Sequence, residues 1–199
     1  MAISATQVKE LRDRSGVGMM DCKKALVEAN GDLEKAFDLL RKSGIAKAQK
    51  KAGRSAKEGS VISYIHPGSK LGVLLELNCE TDFVSNTDDF KNLGNDIAMH
   101  IAATSPQGVS REDISEEIIS KEKEIYTEQA KGSNKPDNII EKMVDGRIQK
   151  FYKEIVLLDQ DFVKDPNKTI SDLITEAVGK LGENIIISRF SRFQLGDKQ

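Results

Sequence analysis

The sequence predicts an α+β fold with two domains, and three observations support this prediction. The N-terminal quarter shows three short stretches with the apolar spacing of amphipathic helices. Two β-rich runs follow, at 60–65 and 71–78, and a third lies at 185–195. Helical stretches separate the second run from the third, so we expect one three-stranded antiparallel sheet with helices packed against it.

The N-terminal stretches predict three helices. Ser4 and Gln7 have the spacing of a capping box, and Gly16 is placed to end the first helix. A second helix is expected at about 20–29. The third is expected to begin at Asp32 and to end at Gly44.

A basic stretch at 41–57 is expected to link the two domains. It contains seven basic residues and no acidic residue. Because no aromatic residue is interleaved for base stacking, a solvated, partly helical connector is favoured over a phosphate-binding arm. We therefore assign residues 1–54 to a three-helix domain with its linker, and residues 55–199 to an α+β core and dimerisation domain.

The core domain is expected to begin with a β-hairpin whose turn is 66–70. Thr87 or Asp88 is placed to cap the helix that follows. Two further helical stretches within about 115–158, connected by residues 132–135, indicate a helical hairpin. The first of these helices has only a thin apolar stripe, so we expect the hairpin to protrude.

The composition is that of an ordinary folded protein. Hydrophobic residues make up 38% of the 199 residues and charged residues 31%, which differs from the composition of disordered chains. A formal net charge of −2 supplies no global field toward nucleic acid or acidic membranes. No stretch approaches the roughly 18 apolar residues that span a bilayer, and no signal peptide is recognisable. We expect a cytoplasmic protein without direct nucleic-acid or membrane contact.

The sequence contains no familiar catalytic, metal or cofactor motif. Neither a P-loop nor a GxGxxG pattern occurs. Cys22 and Cys79 lie far apart in the sequence and form no CxxC pair, so the sequence does not indicate a disulfide. The only histidines are His66 and His100, so it does not indicate a zinc site either. An enzyme using Cys79 is an alternative, but no oxyanion-type glycine turn stands beside that residue. We expect no cofactor, no metal ion and no enzymatic activity.

The stretch 78–86 stands out because apolar residues lie among polar ones where a predicted strand ends. In one interpretation, Phe83 packs under the loop and Asp82 caps a turn. In the other, Phe83 is an apolar wedge with an adjacent carboxylate, presented on a rigid sheet edge. The sequence leaves both interpretations open.

Two long stretches carry a resemblance to a known family. Residues 11–26 read LRDRSGVGMMDCKKAL and residues 76–84 read ELNCETDFV. Both closely resemble the signature sequences of the elongation factor Ts family, and two long, unrelated signatures in the right order are highly specific. The resemblance extends over essentially the whole chain, including 30–32 and 141–147.

This resemblance implies a guanine-nucleotide exchange factor whose partner is elongation factor Tu. It implies that the three-helix domain is similar to ubiquitin-associated modules and binds the G domain of elongation factor Tu through residues around Met19 and Met20. The second signature is implied to push into the partner beside its nucleotide, with Phe83 as the wedge and Asp82 near the magnesium region. The implied residues of this segment are Thr81, Asp82, Phe83 and Val84.

The length of the chain adds one further expectation. Longer members of the family carry two related halves in the core domain, whereas this chain has room for one. Similarity to the short members implies a symmetric homodimer that pairs through its sheets. The rival hypothesis is a plain adaptor, in which the three-helix domain binds another protein and 81–84 is only a structural corner.

Overall fold

A computed structural model of the chain describes residues 3–132 and 136–197. Helices make up most of the regular structure in the described part, and the strands form two small sheets. In chain order the elements are α1 (Ala5–Ser15), α2 (Met19–Glu28), α3 (Leu33–Lys51), β1 (Glu58–Ile65), β2 (Leu71–Cys79), α4 (Asp82–Ser85), α5 (Asp88–Thr104), α6 (Glu116–Lys131), α7 (Asp137–Ile155), β3 (Asp161–Phe162), β4 (Asp165–Thr169), α8 (Ile170–Leu181) and β5 (Ile186–Gln194).

The predicted α+β fold is confirmed. β1 and β2 form the expected hairpin, and β5 returns from the end of the chain to pair with β2, which gives a three-stranded antiparallel sheet in the order β1-β2-β5. The backbone N–H of His66 donates to the carbonyl of Leu71 at 2.9 Å and closes the hairpin turn. β3 and β4 form a second, two-stranded sheet that the sequence analysis did not predict.

The chain packs as two compact units. The first contains the chain up to Ser60 together with Leu77–Leu93 and Asp172–Ile186. The second contains Val61–Glu76, Gly94–Ser171 and the residues from Ile187 onward. The three N-terminal helices, α4 and most of α8 therefore belong to the first unit.

The N-terminal helices of the first unit begin and end largely where the sequence predicts. The Ser4 side chain accepts a hydrogen bond from the backbone N–H of Gln7, and Gly16 ends α1 in the left-handed conformation, with a φ of 66°. Asp32 caps α3 by accepting from the backbone N–H of Lys35. The three helices enclose a buried core formed by Val8, Leu11, Cys22, Ala25, Leu26, Ala29, Ala36 and Leu40.

The expected end of the third helix at Gly44 is wrong. α3 continues to Lys51, so most of the predicted linker is helical. Gly44 lies where α3 passes Gly179 of α8 with no side chain between the two backbones. A glycine inside a helix lowers helix propensity, but here it permits a close approach.

The second unit contains the helical hairpin formed by α6 and α7. The two helices pack along a narrow seam of four buried residues, Ala130, Ile140, Val144 and Ile148, with Tyr126 and Tyr152 at its edges. α7 ends at Ile155, three residues earlier than expected. Residues 133–135 of the predicted connection lie outside the described residues.

The strands of the second unit alternate between a buried and an exposed face. Ile62, Val73 and Leu75 are buried, whereas Val61 and Leu74 are exposed. One face of this sheet therefore contributes to the core and the other carries apolar side chains in water. Across residues 3–132 and 136–197, no helix combines the length and the apolar composition needed to cross a membrane.

Candidate functional site

The candidate site contains two segments, and both lie in the first unit. Met19 and Met20 begin α2, and the segment from Thr81 to Val84 follows the end of β2. The geometry of each segment decides whether its apolar side chains are available to a partner.

The turn after β2 is a single helical turn, α4. Thr81 precedes it in an extended conformation, with φ −135° and ψ 156°. The carbonyl of Asp82 accepts hydrogen bonds from the Ser85 hydroxyl at 2.9 Å and from the Asn86 side-chain amide at 2.9 Å. Polar side chains thus hold the turn closed from its C-terminal side.

Phe83 projects from this turn into solvent. Its side chain is 82% exposed, which is far more than a residue packed under a loop would show. The interpretation of Phe83 as a satellite core residue is therefore wrong. Asp82 is also exposed and Val84 is half-buried, so the turn presents an aromatic ring beside a carboxylate.

Cys79 lies beneath the turn and is fully buried. Its thiol donates a hydrogen bond to the carbonyl of Thr81 at 3.0 Å. Burial, and then the negative charge of Glu183, raise the pKa of the Cys79 thiol above its ordinary value. A thiol that stays protonated is a poor nucleophile, which argues against an enzyme that uses Cys79.

The start of the turn is held by a residue far away in sequence. Glu183 accepts hydrogen bonds from the backbone N–H groups of Glu80 and Thr81 and from the Thr81 hydroxyl. The Glu80 carboxylate in return accepts from the backbone N–H of Asn184 at 2.7 Å, which lowers the pKa of Glu80. The sequence analysis missed Glu183 and Asn184, although their polar pair stands out between a helix stop and an apolar strand.

The second segment presents two flexible apolar side chains at the start of α2. Met19 is 52% exposed and Met20 is 66% exposed, and Gly18 before them has open space where a side chain would lie. Unbranched thioether side chains adapt readily to a partner surface. Val27, on the same helix, is also exposed and was not identified from the sequence.

Contacts within the first unit connect the two segments through α3 and the end of α8. Lys47 of α3 forms an ion pair with Asp21 of α2 at 2.7 Å. The Lys51 ammonium donates to the carbonyl of Gly182, the residue before Glu183. The helix that carries Met19 and Met20 is thus joined by successive contacts to the residue that holds the 81–84 turn.

The described residues do not bring metal ligands together. Across residues 3–132 and 136–197, no group of three or more His, Cys, Asp or Glu side chains could hold a metal ion. The two segments expose an aromatic ring, a carboxylate and two thioether side chains to solvent.

Comparisons with known proteins identify the family of the chain. The family model described as Elongation factor TS matches residues 42–197. The protein named Elongation factor Ts from Fervidobacterium nodosum is 61% identical over 197 residues, which cover 99% of this chain and 100% of the relative. Relatives of the same name from Thermodesulfovibrio yellowstonii and Geobacter sulfurreducens are 59% and 57% identical, covering 100% and 99% of this chain and 99% and 91% of the relatives. The chain belongs to the elongation factor Ts family.

Proposed function

We propose that this chain is a guanine-nucleotide exchange factor that binds elongation factor Tu and promotes the release of GDP, so that GTP can bind. It acts in the cytoplasm during translation elongation, without direct contact to nucleic acid. The observation that carries the proposal is the exposed ring of Phe83, held on a turn with fixed ends in a chain of the elongation factor Ts family.

A wedge of this kind acts on the magnesium ion that accompanies GDP. Magnesium requires near-ideal octahedral geometry, and it bridges the phosphates of the bound nucleotide. A small displacement of the elements that support it therefore weakens nucleotide binding. Phe83 supplies the displacing surface, Asp82 brings a carboxylate to the magnesium region, and Thr81 and Val84 complete the contact.

Docking is a separate task from displacement, and we assign it to the start of α2. Met19 and Met20 bury their exposed thioether side chains against the G domain of elongation factor Tu. This contact places the 81–84 turn without itself changing the nucleotide site.

Exchange then follows from thermodynamic linkage. If the chain weakens GDP binding to the GTPase by some factor, GDP weakens the binding of the chain by the same factor. Release of GDP leaves a complex of the two proteins, and incoming GTP displaces the chain. No covalent step is needed.

We further propose that the chain acts as a symmetric homodimer. Val61 is 72% exposed, and Ile65 and Leu74 lie with it on the uncovered apolar side of β1 and β2. Apolar sheet surface left in water favours association, and a twofold partner presents the same residues to cover it.

The decisive experiment measures the release of labelled GDP from elongation factor Tu, with and without this protein. The intact chain is expected to accelerate release. Phe83→Ala is expected to lower the accelerated rate about tenfold, which corresponds to ~1.4 kcal/mol of lost barrier reduction. The melting temperature should stay unchanged, because the exposed ring contributes little to the chain's own core.

A matched control is Val163→Ala, which shortens another exposed apolar side chain in the second unit. This variant should exchange at the normal rate. Binding to elongation factor Tu without faster GDP release would contradict the proposal and favour the adaptor hypothesis.

A further inference from the structure

Glu183 makes an unusual set of contacts for a carboxylate near the surface. Its Oε2 atom accepts from the backbone N–H groups of Glu80 at 3.1 Å and Thr81 at 2.9 Å, and its Oε1 atom accepts from the Thr81 hydroxyl at 2.6 Å. Both oxygens are therefore used, and all three donors belong to the segment that leads into α4. Hydrogen bonds to a charged acceptor are stronger than those between neutral groups.

Glu183 is itself held in place by its neighbours. Gly182 ends α8 with a φ of 78°, which turns the chain toward the 81–84 turn. Asn184 is buried, and its side-chain amide donates to the carbonyl of Arg54 at 2.8 Å. An ion pair of 3.5 Å joins Arg54 to Glu80. The carboxylate thus projects from a fixed backbone.

α4 needs such support, because a single helical turn is not stable alone. Forming a single helical turn restricts several backbone dihedral angles but gains very few hydrogen bonds, so it is unfavourable without other contacts. The Thr81 side chain makes no capping bond to α4 and donates its hydroxyl to Glu183 instead. The N-terminal side of the turn is therefore anchored from outside the helix.

We propose that Glu183 is a positioning residue for exchange, which fixes Thr81 so that the Phe83 ring is held rigidly toward the partner. This inference rests on the exchange function proposed above. A mobile ring would lose conformational entropy when it becomes ordered against the partner, and this cost would make it less effective at displacing the magnesium site. Glu183 does not touch the partner in this account and acts only through the 81–84 turn.

The test compares Glu183→Ala with Phe83→Ala in the full-length chain, by measuring GDP release from elongation factor Tu over a range of chain concentrations. Glu183→Ala is expected to lower the maximal release rate about tenfold, while the half-saturating concentration changes less than about twofold. The double variant is expected to be no slower than Phe83→Ala, because both changes disable the same ring.

Two milder variants keep the test valid if Glu183→Ala folds poorly. Glu183→Gln retains an oxygen acceptor for the backbone N–H groups, so it should keep most of the maximal rate. Thr81→Val removes only the hydroxyl donor and should give a smaller loss than Glu183→Ala. Asp89→Ala breaks a different contact of the same unit, the 2.7 Å ion pair with Lys180, and should leave exchange unchanged.

A readout independent of exchange follows from Cys79. This thiol is buried beneath the turn, so opening of the turn should speed its alkylation, which mass spectrometry of the Cys79 peptide measures. Glu183→Ala is expected to increase the alkylation rate at least about tenfold. Glu183→Gln removes the same negative charge beside the thiol but keeps an oxygen acceptor, so it should give a much smaller increase, and Asp89→Ala should give none.

The outcomes separate the two proposals. No acceleration of GDP release by the unchanged chain would overturn the exchange function and, with it, the role of Glu183. Normal exchange with Phe83→Ala would leave the exchange function standing but overturn the role of the ring and therefore that of Glu183. Slow exchange with Phe83→Ala but normal exchange with Glu183→Ala would overturn only the positioning role. Fully additive losses in the double variant, or an unchanged alkylation rate of Cys79, would also overturn that role.

Discussion

Gly179 of α8 lies against Gly44 of α3, so that the two helix backbones meet without a side chain between them. A Cβ atom added to Gly179 would lie 3.0 Å from the Cα atom of Gly44, whereas one added to Gly44 would be 3.9 Å from the Cα atom of Gly179. Only the Gly179 side of the crossing is therefore tight. Because Glu183 follows the end of α8, this crossing also helps to determine where Glu183 lies.

Gly179→Ala is expected to lower the melting temperature. Alanine stabilises a helix interior by about 1 kcal/mol relative to glycine, but forcing a methyl group between two packed backbones destabilises the fold by about 1–3 kcal/mol. Gly146→Ala in α7 is the matched control, because nothing lies within 4 Å of the added methyl group. It should raise the free energy of unfolding by up to about 1 kcal/mol in a denaturant titration. Equal stabilisation by both variants would contradict the tight crossing.

The docking role proposed for the start of α2 can be tested separately from the role proposed for Phe83. Changing both Met19 and Met20 to Ser should weaken association with elongation factor Tu by about tenfold or more, because two exposed apolar side chains are lost. At concentrations that force the complex, GDP release should still be fast, since the 81–84 turn is intact.

The matched control for this docking test is Ile125→Ser, which changes an exposed apolar residue of α6 in the second unit. Calorimetric titration of elongation factor Tu with each variant measures the affinity. Normal affinity of the Met19 and Met20 double variant would show that the first unit docks through another face.

The local signals in the sequence predicted the fold well. The capping box at Ser4, the left-handed Gly16 and the alternation of β2 each act within a few residues, so short-range patterns reveal them. Thr87 likewise caps α5, with its hydroxyl accepting from the backbone N–H of Phe90 at 3.3 Å. The exposure of Phe83, by contrast, could be predicted only as one of two alternatives.

The features that the sequence analysis missed depend on long-range contacts. Gly44 has the local character of a helix stop, but it lies inside α3 where Gly179, far along the chain, approaches closely. Residues near Gly44 in the sequence give no sign of that approach. Glu183 accepts a hydrogen bond from the backbone N–H of Thr81, which lies 102 residues away in the sequence, and no local sequence pattern predicts so distant a contact. β4 is a short polar strand without apolar alternation, so its pairing with β3 leaves no periodic signal.

The exposed sheet face predicts the oligomeric state. Light scattering under reducing conditions at micromolar concentration should report about twice the chain mass. Leu74→Glu is expected to give a monomer, because twofold pairing through the sheet face would remove the introduced carboxylate from water. Ile125→Glu, on the hairpin helix α6, should remain a dimer.

A disulfide is not expected to hold this dimer. Cys22 and Cys79 are both free and buried, so neither is positioned to join two copies. A monomer for the unchanged protein, or a dimer that persists in Leu74→Glu, would contradict pairing through the sheet face.

The stability of the fold in acid is expected to depend on His100. The His100 side chain is fully buried. Its Nε2 atom lies 2.9 Å from the side-chain amide oxygen of Gln160, and its Nδ1 atom accepts a hydrogen bond from the backbone N–H of Val163 at 3.3 Å. The Gln160 amide nitrogen donates to the Glu154 carbonyl, which leaves its oxygen facing the ring. The neutral tautomer with a proton on Nε2 satisfies both contacts, and a second proton on Nδ1 would break one of them.

Burial, the larger influence, lowers the pKa of His100 below 6.5, although the hydrogen bond to Gln160 opposes it. The unfolded chain therefore binds a proton near its ordinary pKa of about 6.5 while the folded chain does not, so stability falls as the pH drops below that value. The free energy of unfolding falls with a slope that approaches ~1.4 kcal/mol per pH unit from this one group, until the pH reaches the folded pKa.

Denaturant titrations between about pH 7.5 and 5.5 should reveal this pH dependence of the free energy of unfolding. His100→Gln should be less stable at pH 7.5 but lack this part of the slope, whereas His66→Gln, in the exposed turn between β1 and β2, should keep it. An unchanged slope in His100→Gln would assign the acid sensitivity to another group.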